Sequence, residues 1–314
     1  MATYLVTGGA GFIGSHLVRA LVSKGERVRV LDNLVTGRRE NLIPAMGSID
    51  FIEGRVDDPN LARRAMDGID FVLHQAALGS VPRSVQDPLA THEANLTATL
   101  VLLEAARQAG VQRFVYASSS SVYGDTRELP KVESMPTIPL SPYAVTKLAG
   151  EQYCSVFHRL HALETVSLRY FNVFGPDQSA ASQYAAVIPR FIEALKDSQA
   201  PVIYGDGKQS RDFTYIDNVV QANLLSCEAP SAAAGEAFNI ACGESFTLLD
   251  LLREMEAFSG KKISAHFEPS RKGDVRDSLA SIEKARRLLG YRPAVSFSEG
   301  LRRTLRWAGL KPTG

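Results

Sequence analysis

Residues 4–14 read YLVTGGAGFIG. A short apolar run, YLVT (4–7), is followed by a glycine-rich turn and then by an amphipathic stretch over 13–24. That pattern predicts strand, tight turn, helix. Gly8, Gly11 and Gly14 are spaced three apart, and Gly9-x-Gly11-x-x-Gly14 matches the dinucleotide fingerprint. Glycine serves there because it permits the tight turn, close approach of the backbone to a pyrophosphate, and close contact of helix with strand. The helix that follows, beginning near Phe12 and Ile13, points its N-terminal N–H groups at the phosphates. Asp32 closes the next apolar run, VRVL (28–31), where a carboxylate that receives ribose hydroxyls belongs. It would repel a 2′-phosphate, which favours NAD over NADP, while Arg38 and Arg39 lie near enough in sequence to leave NADP open.

Outward from this turn, the strand–helix alternation continues. FVLH (71–74), RFVYAS (113–118) and TVSLRY (165–170) read as strands, and 89–109 and 142–161 as the long helices between them. Alternation of this kind predicts a parallel sheet covered by helices on both faces. Beyond residue 170 the pattern changes to helical stretches at 187–197, 217–227, 247–259, 281–289 and 299–307, set among turns rich in Gly, Pro and Asp. Two regions are therefore expected, 1–170 and a smaller C-terminal lobe over 171–314 interleaved with it. The 314 residues are 45% hydrophobic and 22% charged, with a net charge of +1, so bulk electrostatics give no reason to expect a nucleic-acid or membrane partner. No apolar run reaches the roughly 20 residues of a membrane span. Cys154, Cys227 and Cys242 have no metal-like spacing, so no metal site is expected, and an N-terminus without signal-peptide character predicts a reduced, cytoplasmic protein.

The segment SPYAVTK (141–147) offers a candidate acid/base pair, although one such Tyr–Lys spacing also arises by accident. Ser141 suits an N-cap and Pro142 a first helical residue, which places Tyr143 and Lys147 on one face of a helix start. A phenol is a poor base at neutral pH, and a neighbouring ammonium is expected to lower its pKa. The same spacing recurs in YGDGK (204–208), where Gly205 and Gly207 predict a turn and no such pairing. Context decides between the two.

With TGGAGFIG (7–14), HQAA (74–77), SSSSVYGD (118–125), SPYAVTK and RYFNVFGP (169–176) in this order, the chain resembles the extended short-chain dehydrogenase/reductase family over essentially its whole length. HQAALGSVPRS, YAAVIPRF and GDGKQSRDFTYIDNV look most like the nucleotide-sugar 4-epimerases, especially the bacterial UDP-N-acetylglucosamine 4-epimerases. The resemblance implies a Rossmann-type doubly wound sheet holding NAD tightly, with a smaller α/β lobe for the UDP-sugar. It implies that Tyr143 is the base for the sugar 4-hydroxyl, that Lys147 holds the ribose and lowers the tyrosine pKa, and that Ser119 hydrogen-bonds the reacting oxygen. Hydride leaves C4 for the cofactor and returns to the opposite face of the turned 4-keto sugar. To the cofactor it further assigns Gly8, Gly11, Phe12, Ile13, Gly14, Asp32, Asn33, Gly37, Val56, Asp57, Ala76, Ala77 and Tyr170. To the sugar nucleotide it assigns Gly79, Ser80, Ser120, Ser121, Asn172, Ala186, Val187, Arg211, Arg271, Asp274 and Ser278. A homodimer is implied, with 89–109 and 142–161 of each chain forming a four-helix bundle.

Details of the matched motifs narrow the reaction and the sugar. Dehydrating relatives need a glutamate at the position of Ser121, often with an aspartate at Ser120, and a hydroxyl is a poor replacement, so simple epimerisation is expected. Ser278 stands where epimerases restricted to plain hexoses carry a tyrosine, and Ala186 at a second small position, which predicts room for an N-acetyl group. UDP-GlcNAc and UDP-GalNAc are the expected pair, with UDP-Glc and UDP-Gal as further substrates. A UDP-glucose or UDP-glucuronate 4-epimerase is the alternative, and an NAD-binding regulator without catalysis the reading from a different class. The chain departs from the family at Arg55, where an adenine-binding aspartate is usual and Asp57 or Asp58 would have to substitute, and at Ala98 in NLTAT (95–99), a packing change.

Overall fold

The structure is a computed structural model that describes residues 1–179, 186–270 and 276–312. Its centre is a seven-stranded, wholly parallel sheet. The strands β1 (Thr3–Thr7), β2 (Arg27–Asp32), β3 (Ile49–Glu53), β4 (Phe71–His74), β5 (Arg113–Ser119) and β6 (Glu164–Tyr170) are joined by Glu236–Ile240 in the order Glu236–Ile240, β6, β5, β4, β1, β2, β3. Val6 of β1 lies between Val30 of β2 and Leu73 of β4. The chain order reverses at β1 and β4, and in open sheets of this kind ligands bind beyond the strand C-termini at that switch point.

Successive side chains alternate between faces, so one strand feeds two cores. Leu5, Leu31, Val72 and Phe114 pack with helices α2 (Pro59–Met66), α5 (Ala98–Ala109) and α6 (Pro142–His161). Val6, Val30, Leu73 and Val115 pack on the other face with α1 (Phe12–Ser23) and with Val219 and Ala222 of the helix Ile216–Glu228. That second core runs on without a break into the C-terminal residues, including Phe174, Phe213 and Phe297, whose rings stack or meet edge-on.

Two strands of the central sheet escape the sequence reading. Ile49–Glu53 is an edge strand, half-exposed and carrying Asp50 and Glu53. Glu236–Ile240 holds the buried polar Asn239 in a run too short to announce itself. The helix expected over 89–109 is interrupted: α4 (Pro88–His92) passes through a π-helical turn, Glu93–Thr97, before α5 begins. The cause is visible at Asn95, which turns inward to bind the loop after β4. Ala98 is fully buried just behind it, which accounts for a small residue there. The segment 204–208 is a turn as expected, with Gly205 at φ 87° and Gly207 at φ 75°. No helix among the described residues is long and apolar enough to cross a membrane.

Candidate active site

The strand C-termini open into a cavity of about 730 Å³. At its floor is the turn read from the sequence. Gly8 has φ 66°, and a Cβ added there would lie 2.7 Å from the Ala76 backbone. A Cβ at Gly14 would lie 2.1 Å from Gly8 O, so the start of α1 touches the strand end with no room for a side chain. The α1 N-cap is Gly11, which has no capping side chain, and Phe12 and Ile13 line the cavity. The first N–H groups of α1 are thus offered to a ligand.

At one end of the cavity Asp32 is buried, and its carboxylate accepts from Ala10 N (2.9 Å) and Leu34 N (2.8 Å). Burial raises its pKa, and those two N–H bonds oppose the rise. Asn33, Val56 and Asp57 line the same end. Arg55 lines the cavity beside Asp57 and grips it in a two-pronged contact of 2.9 and 2.5 Å, while Asp58 is committed to capping α2. Of Asp57 and Asp58, Asp57 is the one on the wall. Arg39 pairs with Glu53 and Arg38 reaches Ser179 at 3.5 Å; neither lines the cavity. Gly37 does not line it either: it packs behind, where a Cβ would meet Ala10 and Asp32.

At the other end stand Ser119, Tyr143 and Lys147, with Ala76, Ala77, Gly79, Ser120, Ser121, Tyr170 and Asn172. Ser141 caps α6 by accepting from Ala144 N at 3.2 Å, with Pro142 in the first turn, so Tyr143 and Lys147 do share a helix face. Lys147 Nζ donates to Ala117 O at 2.7 Å and lies 6.0 Å from the centre of the Tyr143 ring. Its pKa is lowered to about 8 by burial, against the attraction of Cys154 and Glu151. The expected lowering of the Tyr143 pKa by Lys147 needs correction for the chain alone. Desolvation raises that pKa, and the group opposing it is Ser119, through a hydrogen bond. Both members of the pair lose water in the same enclosure, and each is pushed towards its neutral form.

Supports that the sequence reading missed surround this end. Asn95 accepts from Leu78 N at 2.7 Å and donates to Thr146 Oγ1 at 3.1 Å, which in turn donates to Tyr143 O. It ties the cavity-lining loop after β4 to the first turn of α6. His74 is buried between Thr7 and Thr99 and held neutral, its pKa lowered to about 3 mainly by burial. Tyr170, which the sequence did single out, is held by partners it did not: its Oη meets Asn223 and Gln75 at 3.1 and 3.3 Å. Asn95, within NLTAT, and His74 and Gln75, within HQAA, lie in motifs the sequence already marked, but their partners are set only when the elements meet.

A second cavity, about 290 Å³, adjoins the first, and Asn172 and Val173 line both. Asn172 has φ 34°, a left-handed conformation that asparagine tolerates better than most residues. Ala186, Val187 and Arg211, expected at the sugar nucleotide, line the second cavity together with Arg190, Tyr204 and Phe213, which the sequence did not single out. Ser80 lines neither cavity; its hydroxyl caps α3 (Val81–Gln86). Ser278 lines neither as well. It is buried behind Asn172, whose Nδ2 donates to Ser278 Oγ at 3.4 Å. Arg271 and Asp274 lie outside the described residues.

The family model for the NAD dependent epimerase/dehydratase family matches residues 4–241. The chain belongs to that family. A UDP-glucose 4-epimerase from Mycolicibacterium smegmatis is 38% identical over 305 residues, covering 96% of each protein. A solved UDP-N-acetylglucosamine 4-epimerase from Methanobrevibacter ruminantium, in complex with UDP-N-acetylmuramic acid, superposes with a TM-score of 0.93 at 40% identity, covering 98% of this chain and 97% of its own. A UDP-glucuronic acid 4-epimerase from Bacillus cereus, in complex with UDP-glucuronic acid and NAD, gives 0.90 at 35% identity, covering 98% and 99%. The cofactor of this epimerase/dehydratase family fits the cavity on its own terms. A glycine cradle that admits no Cβ, uncapped α1 N–H groups and a buried carboxylate at the end of β2 are the donor and acceptor set NAD requires.

Proposed function

We propose that this chain is a nucleotide-sugar 4-epimerase interconverting UDP-GlcNAc and UDP-GalNAc, with UDP-Glc and UDP-Gal as further substrates. The observation that carries the reading is the grouping of Ser119, Tyr143 and Lys147 at the end of the cavity opposite Asp32, with hydroxyls alone at Ser120 and Ser121. When bound, NAD supplies the acceptor and then the donor of the C4 hydride. The chain's own groups manage the proton. Tyr143 Oη takes it from the 4-hydroxyl and later returns it, and Ser119 Oγ donates a hydrogen bond to the reacting oxygen. Lys147, anchored on Ala117 O, keeps a positive charge against the phenol. The α1 N–H groups, Asp32 and Asp57 hold the dinucleotide, while Arg211 and the second cavity receive the nucleotide end of the sugar substrate.

The N-acetyl preference rests on Ser278 and Ala186. Ser278 is a small residue buried behind Asn172, which itself lines both cavities, and Ala186 is small on the second cavity wall. The M. ruminantium relative, named for UDP-N-acetylglucosamine, supports the same choice. Ser278→Tyr is expected to lower kcat/KM for UDP-GlcNAc at least tenfold more than for UDP-Glc. Equal losses on both sugars would remove the gate.

We further read 1–170 as the NAD-binding part and 171–314 as mainly the sugar-binding part, interleaved through Glu236–Ile240. We assign the enzyme to the cytoplasm, supported by its three unpaired thiols. We read it as a homodimer through α4, α5 and α6.

The test is an NMR time course of purified protein with UDP-GlcNAc, UDP-Glc and UDP-GlcA in turn, first without added NAD. Formation of UDP-GalNAc is the expected result, and Tyr143→Phe should abolish it. Turnover of only UDP-Glc or UDP-GlcA would keep the 4-epimerase and overturn the acetylated substrate. No product from any of them, even with NAD added, would sink the reading.

A further inference from the structure

Ser121 stands on the wall of the catalytic cavity, yet its hydrogen bonds are made to another serine. Its Oγ donates to Ser119 Oγ at 2.9 Å, and its backbone N–H donates to the same oxygen at 3.2 Å. The single 3-10 turn Ser120–Tyr123, capped by Ser119, sets this arrangement. A serine hydroxyl has one proton to give and two lone pairs to receive with. Both lone pairs of Ser119 are taken by Ser121. What remains to Ser119 is its proton, which in the free enzyme bonds to Tyr143 and opposes the rise in that residue's pKa, and which the reacting oxygen would receive once sugar is bound.

We propose that Ser121 is a positioning residue: by filling both acceptor sites of Ser119 it makes that hydroxyl a donor only, aimed at the Tyr143 oxygen. A serine free to rotate would spend part of its time accepting from the tyrosine and stabilising the protonated phenol. One locked as a donor favours the phenolate, the form that can take a proton. The polarising effect of the Ser121 O–H strengthens the same bond, since hydrogen bonds in a chain reinforce one another. Removing only the Ser121 hydroxyl leaves the backbone N–H in place, so the loss should be partial.

This rests on the proposed role of Tyr143 as base, and the experiment reads that base without needing turnover. The tyrosinate absorbance of the purified holoenzyme is titrated against pH, with the curve of Tyr143→Phe subtracted to isolate the one residue. Ser121→Ala is expected to move the titration up by about one pH unit, a tenfold change in the phenolate fraction below it. Ser121→Thr, which keeps the hydroxyl, should return it to within a few tenths of a unit. In a Ser119→Ala background the Ser121→Ala shift should vanish, because its intermediary is gone. The ascending limb of kcat/KM for the sugar nucleotide should move in parallel, with KM within twofold. An unchanged titration in Ser121→Ala, or a shift that persists without Ser119, overturns the proposal. So does a defect confined to KM, which would make Ser121 a sugar contact. Absence of turnover alongside the expected titration would count against the epimerase reading and leave the relay standing.

Discussion

Lys147 is the residue where burial and function collide most directly. An ammonium at the buried start of α6 keeps its proton only against desolvation, so its pKa falls from 10.5 to about 8. The sign of the stability effect follows. In the unfolded chain the amine binds its proton up to about pH 10, whereas in the folded chain it begins to lose it near 8. Between those values the unfolded state binds more protons, and this group makes the protein more stable as pH rises. Below pH 8 the full cost of the buried charge is present. Lys147→Met should therefore raise stability by roughly 3 kcal/mol at neutral pH, with the gap to wild type closing between pH 8 and 10. Thermal midpoints across pH test this, and a gap independent of pH would sink it. At the same scale, Tyr143 and Lys147 were legible because a capped helix start fixes which neighbours share a face. That Tyr143's pKa is raised, and that Ser119 opposes the rise, was not legible, since desolvation depends on everything packed around the ring.

At the scale of elements, α6 is held to the sheet by a buried ion pair. Glu151, one turn beyond Lys147, binds Arg169 of β6 at 2.7 and 2.9 Å and also accepts from Ser118 Oγ of β5. Arg169 continues to Tyr123 Oη at 2.8 Å, and Tyr123 donates to Asn239 Oδ1 at 2.7 Å. The last strand of the sheet, the turn after β5 and α6 are thereby coupled through buried charged and polar groups. Breaking such a pair strands a charge in the interior. Glu151→Leu is expected to cost about 3–5 kcal/mol, read as a lower denaturant midpoint at unchanged slope. A loss under 1 kcal/mol would mean Arg169 finds another partner. The interrupted helix belongs here too. Periodicity over 89–109 predicted one element, and the π-helical turn within it follows from Asn95 reaching across to Leu78. No pattern along the helix itself encodes that bond.

For the whole molecule, the question left on the surface is what covers α4 and α6. Leu89 is 77%, Val145 49% and Leu160 73% exposed, and the two helices pack side by side. Large apolar side chains gathered on one helical layer are what a second copy of the chain would bury. Sedimentation equilibrium is expected to give a dimer, and the pair Val145→Glu with Leu160→Glu to give a monomer that keeps its sheet. A wild-type monomer at micromolar concentration would end the dimer reading.

The sequence by itself determined the parallel α/β fold, the glycine cradle at Gly8–Gly14, the carboxylate closing β2 and the capped helix carrying Tyr143 and Lys147. Each is a short-range signal, written in neighbouring residues whose conformation and facing are fixed by local sterics and hydrogen bonding. Only the tertiary structure decided that Glu236–Ile240 returns to complete the sheet, and that Gly37 packs behind Asp32 instead of lining the cavity. The same holds for Asp57 over Asp58 on the wall, for Ser80 as a helix cap, and for Ser278 behind Asn172. Those outcomes depend on which atoms compete for the same space and the same hydrogen bonds once distant segments meet. That competition is a property of the packed chain, and no window of sequence contains it.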